Sequence, residues 1–307
     1  MKALTRPPRL APGARVAVVA PSGPVPEERV QAGLDVLRGW DLDPVVMPHV
    51  LDRGGELGYL AGTDADRAAD LQNAWCDPSV AAVLCARGGY GAQRMADLAD
   101  WDALRAAGPK VFLGFSDITH LHQAFATRLG LVTLYGPVAA GIDFIKSTRA
   151  QEHLKATLFA PETVRTIATT GTALVPGRAR GVTLGGYLGG LAADLGTPLA
   201  RTGARGGLLM IEDVTELPYR IDRLLTQLLR SGWLDGVAGI GLGSWERCGP
   251  YEEVRAVLAD RLGGLGVPVC EEMGFGHCAD ALTIPFGAEA ELDADAGTLT
   301  LAEPALR

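Results

Sequence analysis

Residues Lys110–Thr119 read KVFLGFSDIT, and this stretch decides how the rest of the chain is interpreted. Val111–Leu113 is a short apolar run typical of a buried strand, Gly114 interrupts it, and an amphipathic pattern begins at Asp117. The pattern predicts a strand, a sharp turn and a helix, with Ser116 at the turn. A serine there is exposed at the strand end, beside the positive end of the next helix, as in a nucleophile elbow.

Two interpretations of Ser116 stay open at this point. The usual elbow reads G-x-S-x-G, and here Ile118 stands in its last position. The alternative is that Ser116 or Asp117 only caps the following helix, which is a common role for both residue types. The sequence around the turn must therefore decide between a nucleophile and a cap.

Apolar runs alternate with amphipathic helical patterns through the first half of the chain. The strand-like runs are Val16–Ala20, Pro44–Met47, Val80–Ala86, Val111–Leu113 and Leu131–Tyr135. This alternation predicts βαβ units and a parallel sheet, which binds ligands beyond the carboxyl ends of its strands. Three unusual turns fall at such ends: PSG at 21–23, RGGYG at 87–91 and GFSD at 114–117. Their shared edge favours a functional Ser116.

The character of the sequence changes near residue 160. Residues 160–180 are rich in Thr, Pro, Gly and Ala and lack helical periodicity, which is typical of a linker. We therefore predict a nucleophile-bearing α/β domain over 1–160, a linker over 161–180 and a second domain over 181–307. Three short alternating segments near the C-terminus predict antiparallel strands in the second domain.

Composition and charge exclude several classes of protein. The net charge is -8 without a long basic run, which argues against a nucleic-acid or anionic-membrane partner. The N-terminal residues lack the apolar core of a signal peptide, and no apolar stretch is long enough to span a bilayer, so we expect a cytoplasmic protein.

The 5 cysteines are odd in number and show no C-x-x-C spacing, which indicates reduced thiols. Nothing resembles a zinc site, and we expect no metal and no cofactor. A metal site built from Asp, Glu and His residues scattered along the sequence stays open.

A serine nucleophile needs a histidine base, and the chain has 5 candidates. His120 lies a full turn into the helix after the serine and cannot easily swing back. His122 and His153 lie on predicted helix surfaces, and His49 lies in a loop. His277 follows a strand in a glycine-flanked turn, which suits a residue delivered into a cleft. The alternative, a loop histidine without a role in catalysis, stays open.

The orienting acid is best placed at Glu212, directly after the apolar run GLLMI at 207–211. An unpaired carboxylate beside a buried strand would be costly, so Glu212 should have a partner. Asp213 competes with it, and because successive strand side chains point to opposite faces, only one of them can face the cleft. Alternatively, Glu212 forms a salt bridge with Arg220 or Arg223.

An oxyanion hole needs two convergent N–H groups, and the N–H of Asp117 offers one. Gly88 or Gly89 offers the other, because a residue without Cβ lets the backbone approach closely. Arg87 precedes them, and its planar fork could grip a substrate carboxylate, or it could brace the turn by pairing with an acid.

Four motifs together resemble the LD-carboxypeptidase family, which includes murein tetrapeptide carboxypeptidases and microcin C self-immunity peptidases. They are RGGYG at 87–91, GFSDIT at 114–119, IEDVTELPYRIDRLL at 211–225 and GFGHCADALTIPFG at 274–287. The motifs run in family order and cover nearly the whole chain. The family often reads GGN-L where this chain has Gly185-Gly186-Tyr187-Leu188, so Tyr187 could alter the substrate pocket.

The resemblance implies a triad of Ser116 as nucleophile, Glu212 as acid and His277 as base. With the resemblance added, we predict Gly89 as the second oxyanion donor and Gly88 as a substrate contact. It also implies a cytoplasmic homodimer with a Rossmann-like parallel-sheet N-terminal domain and a β-rich C-terminal domain. The leading hypothesis is a serine carboxypeptidase that removes terminal D-Ala from recycled murein tetrapeptide. The alternatives are a peptidase of peptidyl-nucleotide antibiotics, which needs an aromatic platform for the base, with Trp245 and Tyr187 as candidates, and a non-catalytic ligand-binding α/β protein.

Overall fold

The computed structural model describes residues 1–54, 56–168 and 171–307, and within them the strands form two sheets. The strands are β1 Arg15–Val19, β2 Asp43–Val46, β3 Val80–Cys85, β4 Val111–Gly114, β5 Thr133–Tyr135, β6 Thr166–Ala168, β7 Thr172–Val175, β8 Arg178–Tyr187, β9 Gly207–Val214, β10 Gly239–Glu246, β11 Val269–Glu271, β12 Ile284–Phe286, β13 Glu289–Asp293 and β14 Thr298–Leu301. The α-helices are α1 Glu27–Gly39, α2 Asp64–Cys76, α3 Ala92–Ala96, α4 Trp101–Ala106, α5 Thr119–Ala124, α6 Ile142–Lys146, α7 Thr148–Phe159, α8 Leu188–Ala193, α9 Pro218–Arg230 and α10 Tyr251–Leu262.

The first sheet has the strand order β12-β5-β4-β3-β1-β2. Its five N-terminal strands pair in parallel, which confirms the predicted βαβ architecture. The chain reverses direction across the sheet between β1 and β3, and in open α/β sheets ligands bind at such a point, outside the carboxyl ends of the strands. The turns that follow β1, β3 and β4 therefore face one cleft.

Each central strand divides its side chains between two cores. On β1, Val16 and Val18 pack in one hydrophobic cluster, whereas Ala17 and Val19 pack in another that contains Trp75. This alternation follows from the two-residue period of a strand buried on both faces. It explains why the strand sequences are apolar throughout.

The second sheet has the order β6-β14-β13-β8-β9-β10-β11-β7 and mixes parallel and antiparallel pairs. On β9, Leu208 and Met210 belong to the same core cluster as Val16, so this core extends from one sheet to the other. Leu209 and Ile211 face the opposite way, into a cluster with the apolar side of α9. The α/β architecture with a β-rich C-terminal half is confirmed.

The predicted linker contains more structure than its composition indicated. The described part of 161–180 holds β6, β7 and the start of β8, all of which pair within the second sheet, while residues 169 and 170 lie outside the described residues. Among the three C-terminal segments, β13 and β14 pair in the second sheet as antiparallel strands, whereas β12 pairs with β5 of the first. The division into domains at 160 and 181 stays a prediction.

Among the described residues, the search for a helix with the length and apolarity needed to cross a bilayer finds none.

Candidate active site

Ser116 lies at a strained turn directly after β4. Its φ is 64°, a left-handed conformation that residues other than glycine rarely adopt, and the chain then enters a 3-10 turn over Ser116–Ile118 before α5. Gly114 permits this close turn, because a Cβ there would lie 2.8 Å from the side chain of Ile118. Within the described part of the chain, the Ser116 hydroxyl has a hydrogen-bond partner in His277 and none in this turn or in α5. The left-handed conformation and a hydroxyl that caps no helix are typical of a nucleophile elbow.

A continuous hydrogen-bonded chain joins Ser116, His277 and Glu212. The Nε2 atom of His277 lies 3.1 Å from the Ser116 Oγ, and its Nδ1 lies 2.7 Å from the Glu212 Oε2. The backbone N–H of His277 also donates to this Oε2, at 3.1 Å. Glu212 is fully buried, whereas the side chain of His277 is 20% exposed. The ring can therefore pass a proton to a bound molecule while its orienting carboxylate stays away from water.

Strand alternation explains why Glu212 and not Asp213 meets His277. Glu212 continues the face of Leu208 and Met210, which points to the core shared by the two sheets. Asp213 points the other way, where its Oδ2 accepts a hydrogen bond from the N–H of Gly189 at the start of α8. Burial raises the pKa of Asp213 to about 7. The two neighbouring carboxylates thus have different partners, as the alternation predicts.

Two glycines make room for the acid. Gly276 has a φ of 93°, and a Cβ there would lie 2.4 Å from the Glu212 side chain. A Cβ on Gly243 would lie 2.6 Å from the carbonyl oxygen of Phe275 and 3.0 Å from the Cβ of Glu212. The N–H of Ser244 donates to the same carbonyl oxygen, at 3.0 Å, which ties the histidine loop to the end of β10.

The predicted oxyanion donors lie beside the serine. A Cβ on Gly88 would be 2.8 Å from the Cβ of Ser116, so only glycine fits at this distance. Gly89 has a φ of 112°, and within the described part of the chain its N–H donates to no protein acceptor. The N–H of Asp117 lies in the first turn of the following helical segment, where amide groups lack intrahelical acceptors. The structure therefore brings all three residues to the predicted edge.

Arg87 is exposed, and one of its guanidinium nitrogens donates to the carbonyl oxygen of Pro24 at 2.5 Å. Among the ion pairs formed by the described residues, none includes Arg87. The predicted alternative, in which Arg87 pairs with an acid to brace the turn, is therefore not found among the described residues. The remaining guanidinium N–H groups can still donate to a ligand.

The side chain of Asp117 ties the three predicted turns together. Its Oδ2 accepts hydrogen bonds from the Ser22 hydroxyl at 2.6 Å and from the N–H of Ala92 at 2.8 Å. Asp117 thus caps α3 and not the helix that follows it, while holding the turn after β1. Sequence analysis considered Asp117 as a cap of the following helix and as an oxyanion donor through its N–H, and it did not find these partners because they lie on separate turns.

The matches to known families cover both halves of the chain. Residues 16–136 match the LD-carboxypeptidase N-terminal domain, and residues 180–292 match the LD-carboxypeptidase C-terminal domain. The chain belongs to the LD-carboxypeptidase family. This confirms the resemblance carried by the four sequence motifs.

Relatives of known name span nearly the full length of the chain. A putative carboxypeptidase of Streptomyces coelicolor is 79% identical over 306 residues, which cover 100% of this chain and 99% of that protein. The murein tetrapeptide carboxypeptidase of Pseudomonas aeruginosa is 34% identical over 292 residues, which cover 91% of this chain and 93% of that protein. The structure of MccF in complex with glutamyl sulfamoyl guanosine superposes with a TM-score of 0.86 at 21% identity, over 98% of this chain and 99% of that one. The two proteins share the fold.

One residue of the site in this member of the LD-carboxypeptidase family was missed by sequence analysis. Tyr135 ends β5, next to the strand that carries Ser116, and its hydroxyl donates to the Oε1 of Glu212 at 2.5 Å. The same hydroxyl accepts from the backbone N–H of Ser116, at 3.2 Å. A tyrosine at the end of the strand adjacent to the elbow was the available signal.

The other histidines form structural contacts. His122 was predicted on a helix surface, but it is buried between the Thr133 hydroxyl and the carbonyl of Gly114, and burial lowers its pKa to about 4. Its helix packs against the sheet on that side, which the local pattern did not reveal. His120 is also buried, with its Nδ1 2.7 Å from the Asp194 Oδ1.

Neither predicted aromatic platform is a free surface. Trp245 is buried in the second-sheet core at 7% exposure. The ring of Tyr187 packs over the backbone of Gly189 and Gly190, where an added Cβ would lie 3.0 Å and 2.3 Å from it. An apolar cavity of about 210 Å³ instead lies on the Phe115 side of the site, with Tyr135 and Gly276 in its wall.

A possible ligand cluster for a metal lies outside the triad. Among the described residues, His49, Asp52 and Asp66 each place one ligand atom within 4.8 Å of the others. They lie on the loop after β2 and in the first turn of α2. None of them belongs to the Ser116 hydrogen-bond chain, so nothing in the serine chemistry depends on them.

Proposed function

We propose that this chain is a serine carboxypeptidase that cleaves an L,D-peptide bond and releases terminal D-Ala from murein tetrapeptide. The observation that carries the proposal is the hydrogen-bonded chain Ser116–His277–Glu212, with Ser116 in a left-handed turn. The identity to the murein tetrapeptide carboxypeptidase of Pseudomonas aeruginosa supports the substrate class.

The reaction follows the roles of a serine triad. The Oγ of Ser116 attacks the carbonyl carbon of the scissile bond while Nε2 of His277 takes its proton. Glu212 holds the imidazole at Nδ1 and stabilises the cation that forms. When the carbon–nitrogen bond breaks, His277 gives the proton to the leaving amine. Water then attacks the acyl-enzyme, again with His277 as base, which restores the Ser116 hydroxyl.

The oxyanion of each tetrahedral intermediate needs two N–H donors. We assign them to Gly89 and Asp117, because the Gly89 N–H lacks an acceptor among the described residues and that of Asp117 follows the nucleophile directly. Gly88 lies against Ser116 and leaves the space that the substrate carbonyl requires. No metal or other cofactor takes part in this scheme.

An exopeptidase must also recognise a free chain end. We assign this role to Arg87, which lies next to the oxyanion glycines, has no acidic partner in the described structure and keeps guanidinium N–H groups free. A guanidinium grips a carboxylate through two hydrogen bonds, which a lysine cannot reproduce. Amidation of the substrate C-terminus should therefore reduce cleavage severely.

The decisive experiment is mass spectrometry of the products from a small panel of substrates. The panel contains murein tetrapeptide, its L-Ala-terminated epimer, the C-terminal amide and a peptidyl-adenylate analogue, each incubated with the wild type and with Ser116→Ala. We expect release of D-Ala from the tetrapeptide alone, and none with Ser116→Ala. Preferential cleavage of the adenylate would favour the antibiotic-immunity alternative, equal cleavage of amide and acid would exclude a carboxypeptidase, and binding without cleavage would favour a ligand-binding protein.

The buried position of Trp245 and the packing of Tyr187 favour the peptide over the peptidyl-nucleotide substrate, because no free aromatic platform meets the nucleobase at those residues. The cytoplasmic location and the homodimer stay predictions. Light scattering on the purified chain would test the second of them.

A further inference from the structure

The hydroxyl of Tyr135 contacts both ends of the triad. It donates to the Oε1 of Glu212 at 2.5 Å and accepts from the backbone N–H of Ser116 at 3.2 Å. His277 uses only the other carboxylate oxygen, Oε2. One hydroxyl therefore fixes the rotation of the acid and the backbone of the nucleophile.

The ring of Tyr135 is held so that its hydroxyl has one position. It is fully buried, it stacks on Phe286 with ring centres 5.0 Å apart, and Phe115 and His122 meet it at 6.1 Å and 5.6 Å. Burial, followed by the charge of Glu212, raises the pKa of Tyr135 well above its ordinary value. The hydroxyl thus stays protonated and remains a donor throughout the working pH range.

We propose that Tyr135 is a positioning residue for catalysis, which aligns the Glu212 carboxylate with His277 and holds the left-handed turn of Ser116. With its proton directed to Glu212, the oxygen of Tyr135 still has lone pairs for the Ser116 N–H, so one hydroxyl serves both contacts at once. Without the hydroxyl, the carboxylate could rotate about its last bond, and the partly buried N–H of Ser116 would lose its acceptor. The inference rests on the proposed function and adds a fourth residue to it.

The first test is Tyr135→Phe, which removes one oxygen and keeps the ring in the wall of the cavity. We expect kcat for D-Ala release to fall by roughly 10- to 100-fold, as for a small misplacement of reacting groups, with KM within about twofold of the wild type. The matched control is Tyr251→Phe, because Tyr251 also donates to a buried carboxylate, Glu271, at 3.3 Å. The control should keep wild-type kcat while its melting temperature changes by a similar amount.

A double-mutant cycle separates positioning from general packing. In a Glu212→Gln background the acid no longer orients His277 correctly, so adding Tyr135→Phe should lower kcat by less than about threefold. Should Tyr135→Phe melt below the assay temperature, Phe286→Leu serves as a second variant, since it loosens the stacked ring and retains the hydroxyl. This variant should lower kcat and leave KM unchanged.

Wild-type kcat in Tyr135→Phe or, where that variant does not fold, in Phe286→Leu would overturn the inference. An undiminished effect of Tyr135→Phe in the Glu212→Gln background would also overturn it. Failure of the proposed function itself looks different, because either the wild type would then release no D-Ala or Ser116→Ala would release it as fast as the wild type. An inactive Ser116→Ala together with a fully active Tyr135→Phe would reject only the role of Tyr135.

Discussion

Two histidine–carboxylate pairs lie next to the turn that carries Ser116 and Asp117. His277 and Glu212 are 2.7 Å apart, and so are His120 and Asp194. The second nitrogen of His277 meets a hydroxyl, the Oγ of Ser116, at 3.1 Å. The second nitrogen of His120 instead lies 3.7 Å from a carboxylate oxygen of Asp117, the residue that follows Ser116.

The difference between the pairs is access to solvent and the chemistry of the third group. The His277 side chain is 20% exposed, whereas that of His120 is 4% exposed, between two buried carboxylates. A histidine sealed between acids can stabilise the fold but has neither a nucleophile to activate nor a route to a substrate. A hydrogen bond from histidine to carboxylate is therefore not sufficient to identify a catalytic pair.

The largest expected loss of activity comes from substitutions of Ser116 and of the histidine that contacts it. Ser116→Ala and His277→Ala should each lower kcat/KM by at least about 10³-fold, and their double variant should be hardly worse, because the residues act as one unit. His120→Ala should instead keep kcat within about tenfold and lower the melting temperature, since it removes a buried hydrogen bond that stabilises by about 1–3 kcal/mol. Steady-state kinetics and thermal melts check both, and full activity with early melting of Ser116→Ala would mean that the serine has only a structural role.

The next effect concerns the two neighbouring carboxylates. Glu212→Gln should lower kcat by about 10²- to 10⁴-fold, because an amide cannot hold the imidazole in the required tautomer. Asp213→Asn should remain within about tenfold of the wild type, since Asp213 faces α8. The reverse ranking in the same assay would move the acid to Asp213.

A smaller effect tests whether the space around Glu212 matters. Gly276→Ala should lower kcat by roughly 10²-fold, because its Cβ would lie within 2.4 Å of the Glu212 side chain and displace it. The matched control is Gly274→Ala in the same loop, which also has a positive φ but whose nearest neighbour would be 3.9 Å away. Both variants bear the backbone strain of about 1–2 kcal/mol, so only the contact with Glu212 separates them. Equal activity of the two would contradict the account.

The smallest effect is on the pH dependence of stability. Burial raises the pKa of Asp213 to about 7 from 3.8, so between these values the folded state binds more protons than the unfolded state. The contribution of Asp213 to stability is therefore present below pH 4 and lost as the pH rises to 7. His122, whose pKa is lowered to about 4, has the opposite slope, so only a difference between variants is diagnostic.

Between pH 4 and 7, the free energy of unfolding of Asp213→Asn should fall less steeply with pH than that of the wild type. The difference in slope should be up to about 1.4 kcal/mol for each pH unit. Urea unfolding at four pH values measures this difference against the wild type. An unchanged slope would show that the Asp213 carboxyl titrates alike in the folded and unfolded states.

Local patterns in the sequence predicted the parts of the site that depend on local geometry. The apolar run at 111–113 and Gly114, which precede Ser116, indicate the elbow. The alternation of side chains along a strand places Glu212 and Asp213 on opposite faces. These inferences need only a strand period and the steric demands of a turn. The fold of the first half followed from the same alternation of strands and helices.

The missed features depend on contacts between distant segments. Tyr135 meets Glu212 across 77 positions and two sheets, and Asp117 meets Ser22 across 95. Strands β6 and β7 lie in the stretch 160–180, whose Thr, Pro, Gly and Ala content is typical of a loop, and β12 pairs with β5, which lies far away in the sequence. Neither local composition nor periodicity therefore indicated the partners of these strands. Such pairings are decided by tertiary packing.

The most direct test of the central claim is covalent labelling with a fluorophosphonate, read by intact mass and by peptide mapping. The account predicts one adduct, on Ser116, which forms in the wild type, is absent in Ser116→Ala and forms far more slowly in His277→Ala. His120→Ala serves as the matched control and should label at a rate close to that of the wild type. An unlabelled wild type, or an adduct on any other residue, would contradict the assignment of Ser116 as the nucleophile.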